Sequence, residues 1–240
     1  MLTPRLSYTK HVRQKAHTAK FALNNIWGKL FDEASVPVRA KMDVFRSAVR
    51  SVLCYAAPCW GWREYGGAEG VQLMFIRRLF RLPRFAQNYI LHLETGLDTV
   101  SAFTLEALLE YLLRVARLQD SRLPRIVARE VISKNVSWAR HLDYLSTELD
   151  VHNHLDSLDY KIIRAQADAL LGEFTKSGRV HKKFWRRALD SENFTLYKEL
   201  DPSVKPLSLI EDTKMDLGAS RWLFKLRGQL LHLNGKTLSH

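Results

Sequence analysis

Apolar side chains recur at helical spacing along most of the chain, and the alternating runs that are typical of strands are scarce. The first predicted helix begins near Ser7 or Thr9, either of which could cap it. Its apolar positions are separated alternately by four and three residues, which keeps them within roughly 80° of arc on a helix. They are Val12, Ala16, Ala19, Leu23, Ile26 and Leu30. The pattern predicts an all-α protein, a multi-helix bundle.

The same periodicity predicts further helices, separated by proline, glycine and polar segments. They cover residues 35–57, 68–82, 100–119, 124–132, 138–149, 158–174 and 220–231. Between the third and fourth helices we predict a turn over 91–98, punctuated by Gly96, with capping roles for Glu94 and Asp98. Five acidic residues occur between 142 and 160 without a lysine or arginine. We therefore predict a basic helical region at 1–140, an acidic linker at 141–160 and a C-terminal helical region at 161–240.

The net charge of the chain indicates which class of partner it binds. The chain of 240 residues carries 37 Lys and Arg against 25 Asp and Glu, a formal charge of +12. Its hydrophobic fraction of 46% is typical of a globular protein, not of a disordered one. So basic a globular protein suggests a polyanionic partner, most often nucleic acid.

Three clusters of basic residues are the candidate nucleic-acid contacts. The first is one flank of the first helix, where no acid occurs before Asp32; its members are Lys10, Arg13, His17 and Lys20. The second surrounds the end of the third helix and consists of Arg77, Arg78, Arg81 and Arg84. The third follows Gly178 and consists of Lys182, Lys183, Arg186 and Arg187.

The second and third clusters also have simpler explanations. Arginine stems of the second cluster could pack on the core with their charged ends in water. The third cluster is interleaved with Phe184 and Trp185. These aromatic residues could stack bases beside bound phosphates, or they could anchor a short amphipathic helix.

Motifs of catalysis are lacking in the sequence. It contains no phosphate-binding GxxxxGK[ST] or GxGxxG loop, no GxSxG elbow, no HExxH and no adjacent pair of aspartates. Cys54 and Cys59 are too few for a disulfide framework. His152 and His154, two residues apart, suit a metal poorly. We predict no catalytic residue, metal or cofactor in this chain.

The longest apolar run, residues 52–62, is too short to span a bilayer. The sequence start also lacks the apolar core of a signal peptide. We therefore expect no membrane association, and a location in the nucleus or cytoplasm.

Several strings resemble the region that follows the polymerase core of non-LTR (LINE-type) retrotransposon reverse transcriptases, particularly those of arthropod elements. LTPRLSYTKH at the start resembles the segment that leads from the palm into the thumb. VFRSAVRSVLCYAAPCWG, residues 44–61, resembles the thumb-region helix, and QLMFIRRLFRLPRFAQNYILHLETGL, residues 72–97, resembles the next block. LRGQLLHLNGKTLSH at 226–240 resembles the lead-in to a zinc knuckle.

The resemblance implies a thumb and connection region of an RNA-directed DNA polymerase. Thumb helices of that family follow the backbone of the template–primer, which would give this role to the first two basic clusters. The catalytic palm motif would lie before Met1 and the zinc knuckle after His240. The resemblance therefore implies an incomplete fragment that binds RNA or DNA and acts beside the polymerase and zinc-knuckle regions.

Two other functions stay open. The chain could be a helical protein-interaction module whose basic faces only make it soluble. Charge reversal at Arg77, Arg78 and Arg81 would then leave nucleic-acid binding unchanged. A standalone nuclease or polymerase ranks last, because two-metal phosphoryl transfer needs clustered carboxylates and the acids here are dispersed.

Overall fold

The computed structural model describes residues 7–151, 157–174, 178–192, 194 and 216–230. Every element in these ranges is helical, and they contain no strand. The prediction of an all-α, multi-helix protein is confirmed. None of the described helices is both long and apolar enough to cross a membrane.

The described helices range from three to 18 residues in length. In chain order they are α1 Thr9–Ile26, α2 Val38–Val44, α3 Ser51–Leu53, α4 Ala57–Trp60, α5 Gly66–Leu79, α6 Asn88–Thr95, α7 Val100–Ala116, α8 Leu123–Ser133, α9 Ser137–Glu148, α10 Tyr160–Glu173, α11 Arg179–Leu189 and α12 Leu217–Arg227. Two π-helical segments, Trp27–Phe31 and Phe45–Arg50, continue α1 and α2 directly. A π turn holds one more residue than an α turn and changes which side chains face the core.

The chain divides into two compact units. The first unit comprises Met1–Tyr55, Gly66–Leu97 and Lys182–His240, and the second comprises Ala56–Tyr65 and Asp98–His181. The first therefore contains α1, α2, α3, α5, α6 and α12, and the second contains α4 and α7 to α10. The predicted division into 1–140, 141–160 and 161–240 stays a prediction.

An aromatic cluster lies at the centre of the first unit. The rings of Phe45 and Phe75 are stacked with their centroids 4.1 Å apart, and Phe31 meets Phe75 edge-on at 5.0 Å. Trp27 closes the cluster against Phe31 at 5.5 Å. The π-helical segments supply three of these four rings, and α1 adds its predicted apolar side, with Ala19 fully buried.

Within this unit, helix α12 packs through Phe224, which is fully buried with its ring 5.0 Å from that of Phe80. Arg221, three residues earlier, donates from Nε to the carbonyl oxygen of Leu79 at 2.8 Å. That bond satisfies a carbonyl at the end of α5, where no helical partner remains. The C-terminal end of α5 is thus capped by a side chain 142 residues later in the sequence.

The second unit is organised around α7, whose apolar side contacts α4, α8 and α10. Its buried cluster includes Leu108, Leu112 and, from α10, Ile163 and Leu170. Gly61 follows α4, and a Cβ atom there would lie 2.2 Å from the carbonyl oxygen of Thr104. Only glycine lets the backbone approach α7 so closely.

The predicted turn over 91–98 is wrong. Residues 88–95 form α6, which ends at Gly96 with a φ of 61°, so only 96–98 of the predicted turn lie outside a helix. Ile90, Leu91 and Leu93 are all buried, so a short apolar helix satisfies both packing and backbone hydrogen bonds. Glu94, the predicted capping residue near Gly96, is buried, and its carboxylate accepts a hydrogen bond from Arg227.

The acidic segment has several structural roles where it is described. Asp159 caps α10 by accepting from the backbone N–H of Lys161 at 2.7 Å. Asp150 pairs with Arg179 at 2.9 Å. Asp156, also in this segment, lies outside the described residues.

Candidate nucleic-acid interface

The basic flank of α1 faces solvent along its whole length. Lys10, Arg13, His17 and Lys20 are all exposed. Within the described residues, no hydrogen bond or ion pair engages any of these four side chains. At 1.5 Å per residue, the row from Lys10 to Lys20 is about 15 Å long. It therefore presents unshielded positive charge over a length comparable with several phosphate spacings of a nucleic-acid strand.

Arg78 extends this row at its C-terminal end. Its Nη1 donates to the side-chain oxygen of Asn24 at 2.7 Å, and its guanidinium lies over the ring of Trp27 at 3.9 Å. Asn24 is one helical turn beyond Lys20 on the same side of α1. One member of the second cluster thus lies beside the first cluster, from which it is more than fifty residues away in the sequence. We call Lys10, Arg13, His17, Lys20 and Arg78 the α1 basic face.

The other members of the second cluster differ in their surroundings. Arg77 is half-buried, and its Nη2 donates to the carbonyl of Ala86 at 2.9 Å and to Asn88 at 2.6 Å. Burial lowers the pKa of its guanidinium. Arg77 therefore has a structural role, because it links the end of α5 to the start of α6. The sequence pattern did not indicate this role.

Arg81 and Arg84 are both exposed. Arg81 lies 3.5 Å from a carboxylate oxygen of Asp32, which is also 3.4 Å from Arg221. Arg84 has no described side-chain partner. Asp32 therefore reduces the positive potential at Arg81 but not along α1.

The third cluster forms a separate basic face on α11. Lys182, Lys183, Arg186 and Arg187 are exposed, whereas Ala188 is buried. Phe184 stacks on the buried ring of His92, with centroids 5.2 Å apart and planes 12° from parallel. This aromatic ring is thus engaged with α6, which favours the interpretation of Phe184 as an anchor over that of a base-stacking platform.

The exposed surface of α1 also carries an aromatic residue, Phe21, which an analysis of charged residues does not reveal. Phe21 is 63% exposed, the most exposed phenylalanine in the described chain. Four residues beyond His17, it lies within about 40° of that side chain on the helix. The helical pattern contained the signal, because Phe21 is absent from the apolar positions that form the buried side of α1.

A metal site is not evident in the described part of the chain. No group of three or more His, Cys, Asp or Glu side chains there is placed to hold an ion. His152 and His154, the pair considered in the sequence, lie outside the described residues. The chemical groups that the α1 surface presents are therefore the side chains of the α1 basic face and the ring of Phe21.

Comparison with protein-family models, with curated proteins and with solved structures finds no match for this chain.

Proposed function

We propose that this chain binds nucleic acid by contacting successive phosphates with the α1 basic face. The observation that carries the proposal is the row of four exposed, unpartnered cationic or titratable side chains on a helix with no acid of its own. Lysine and arginine on such a row displace condensed counterions from the backbone, which favours binding to any sequence.

The position of Arg78 strengthens the proposal. Its contacts with Asn24 and Trp27 hold the guanidinium at the end of the row, so little side-chain freedom is lost when a phosphate binds. A mobile surface arginine would lose more. The resemblance to retrotransposon reverse transcriptases fits the same surface, since thumb helices in that family follow the template–primer backbone. We propose that the chain is such a thumb and connection region, with binding and not catalysis as its task.

The proposal is tested with the salt dependence of binding to a labelled duplex, measured by fluorescence anisotropy. The variant K10Q/R13Q/K20Q should bind more weakly than the wild type. Its log–log salt slope should fall by about 0.9 for each lost phosphate contact. Because these side chains are exposed and unpartnered in the described structure, the substitutions should leave the melting temperature nearly unchanged.

A matched control has the same change in net charge. Arg114, Arg122 and Lys161 are exposed cations of the second unit, and R114Q/R122Q/K161Q also lowers the charge by three. We expect this variant to keep both affinity and slope close to wild type. Equal losses in the two variants would show that only overall charge matters, and absence of binding by the wild type at low salt would refute the proposal.

A helical protein-interaction module is the second candidate, favoured by one surface of the second unit. Leu123, Ile126 and Val127 of α8 are 70%, 45% and 51% exposed and lie on one side of the helix. Large apolar side chains grouped on a surface often mark contacts with another protein. Under this function, L123Q/V127Q would abolish capture of a partner, and the α1 variant would leave it intact.

A further inference from the structure

Phe21 occupies an unusual position for a large apolar side chain. The buried side of α1 is formed by Val12, Ala16, Ala19 and Leu23. Ala19 precedes Phe21 by two residues, so the two side chains point in directions about 160° apart. Phe21 therefore projects away from the core, with 63% of its surface in solvent.

The surroundings of this ring are polar and cationic. Lys20 is adjacent in sequence, His17 is one turn earlier and Asn25 is one turn later, all of them exposed. No described ring contact or cation–π contact involves Phe21. Tyr55, in contrast, is a comparably exposed ring that is engaged, with the Nζ of Lys15 4.2 Å from its centroid. Phe21 thus presents an open aromatic face beside the exposed basic residues of α1.

An aromatic face among cations suits a particular form of nucleic acid. In a duplex the bases are stacked on one another and their faces are inaccessible, so an exposed ring adds little to backbone binding. In a single strand the bases are free to stack on aromatic side chains while cations contact the flanking phosphates. Contacts of this kind are tolerant of sequence, because every base has a π face.

We propose that Phe21 stacks on an unpaired base and that the α1 basic face thereby selects single-stranded nucleic acid over blunt duplex. The inference rests on the proposed function, which supplies the phosphate contacts. It adds the structural class of the ligand and the residue that distinguishes it. Lys20 and His17 would bind the phosphates on either side of the stacked base.

The test compares three probes of matched length with the full chain. They are a labelled oligothymidine of about 12 nucleotides, the same backbone without bases, and a blunt duplex. Phe21→Ala should weaken binding to oligothymidine by about tenfold. Binding to the baseless strand and to the duplex should stay within about twofold, since the phosphate contacts are unaltered. Phe21→Trp, with a larger π face, should restore or exceed wild-type affinity.

Two further variants separate stacking from other causes. Phe21→Leu keeps an apolar side chain without a π face and should resemble Phe21→Ala. Tyr144→Ala removes a ring of similar exposure, 59%, from the second unit and should change nothing. Equal weakening by Phe21→Ala on all three probes, or no weakening on any of them, would overturn the inference.

The same data distinguish failure of the inference from failure of the proposed function. If the wild type binds the probes with the salt slope lost in K10Q/R13Q/K20Q but is indifferent to Phe21→Ala, only the stacking role is refuted. If the wild type binds no probe at about 50 mM salt, the proposed function is refuted, and the inference with it.

Discussion

Arg227 donates from Nε to a carboxylate oxygen of Glu94 at 2.8 Å, across 133 residues of sequence. The Glu94 side chain is 1% exposed and that of Arg227 is 13% exposed. The pair joins the last turn of α12 to α6 inside the first unit. A carboxylate so deeply buried needs its charged partner, because without one the cost of desolvation is not offset.

Removal of this arginine should destabilise the first unit. We expect Arg227→Met to lower the free energy of unfolding by about 3–5 kcal/mol, since it leaves Glu94 charged and buried without the guanidinium. Urea unfolding monitored by circular dichroism measures the change. Lys225→Met on the same helix, which has no described partner, should cost much less. Arg227→Met/Glu94→Gln should recover part of the loss, and a double variant no more stable than Arg227→Met would contradict this explanation.

The sequence predicted the helices well and their contacts poorly, and Glu94 shows the reason. Helical periodicity is a local signal, so the ranges around 100–119 and 158–174 correspond to α7 and α10 with ends shifted by a few residues. The partner of Glu94 is set by long-range packing, which no spacing rule encodes. Because Glu94 lies near Gly96, its sequence context was that of a capping residue. A turn was therefore predicted over 91–98, and helix α6 was missed.

Substitution of Arg77 should destabilise the protein much more than substitution of Arg84, although both belong to one basic cluster. Arg77→Met removes two bonds and leaves the carbonyl of Ala86, a residue that is 2% exposed, without this donor. We expect a loss of about 1–3 kcal/mol in the free energy of unfolding. Arg84→Gln should change stability by less than about 0.5 kcal/mol. Thermal and urea unfolding of both variants test the contrast, and equal stability of the two would argue against a linking role for Arg77.

The two cysteines should differ sharply in reactivity. Cys54 is buried, and burial raises the pKa of its thiol to about 12, whereas Cys59 is exposed. Because the thiolate is the reactive form, iodoacetamide should modify Cys59 in the native protein and Cys54 only after unfolding. Peptide mass spectrometry identifies the labelled residue. Cys59→Ser should abolish native labelling, and rapid labelling of Cys54 in that variant would show that the thiol is accessible.

The candidate interface was predictable in part. The charges of α1 and their common flank follow from sequence alone, because an amphipathic helix fixes which residues share a side. That Arg78 joins this flank, and that Arg77 does not reach solvent freely, depends on how α5 packs against α1. Phe21 was predictable only in part. The helical pattern places it off the buried side of α1, but the fold was needed to show that no other described element covers its ring.

His141 should make the stability of the second unit depend on pH. Burial and the nearby positive charge of Arg63 lower the pKa of this imidazole below its ordinary 6.5, against the opposing effect of Glu148. The unfolded chain therefore takes up the proton more readily than the folded one as pH falls below about 6.5. The stability contributed by the neutral ring is present above that pH and is lost as pH falls towards the folded-state pKa. This pH dependence is measured by urea unfolding of the wild type and of His141→Gln between about pH 7.5 and pH 5. The wild type should lose more stability than the variant over this interval, and parallel losses would show that His141 is not responsible.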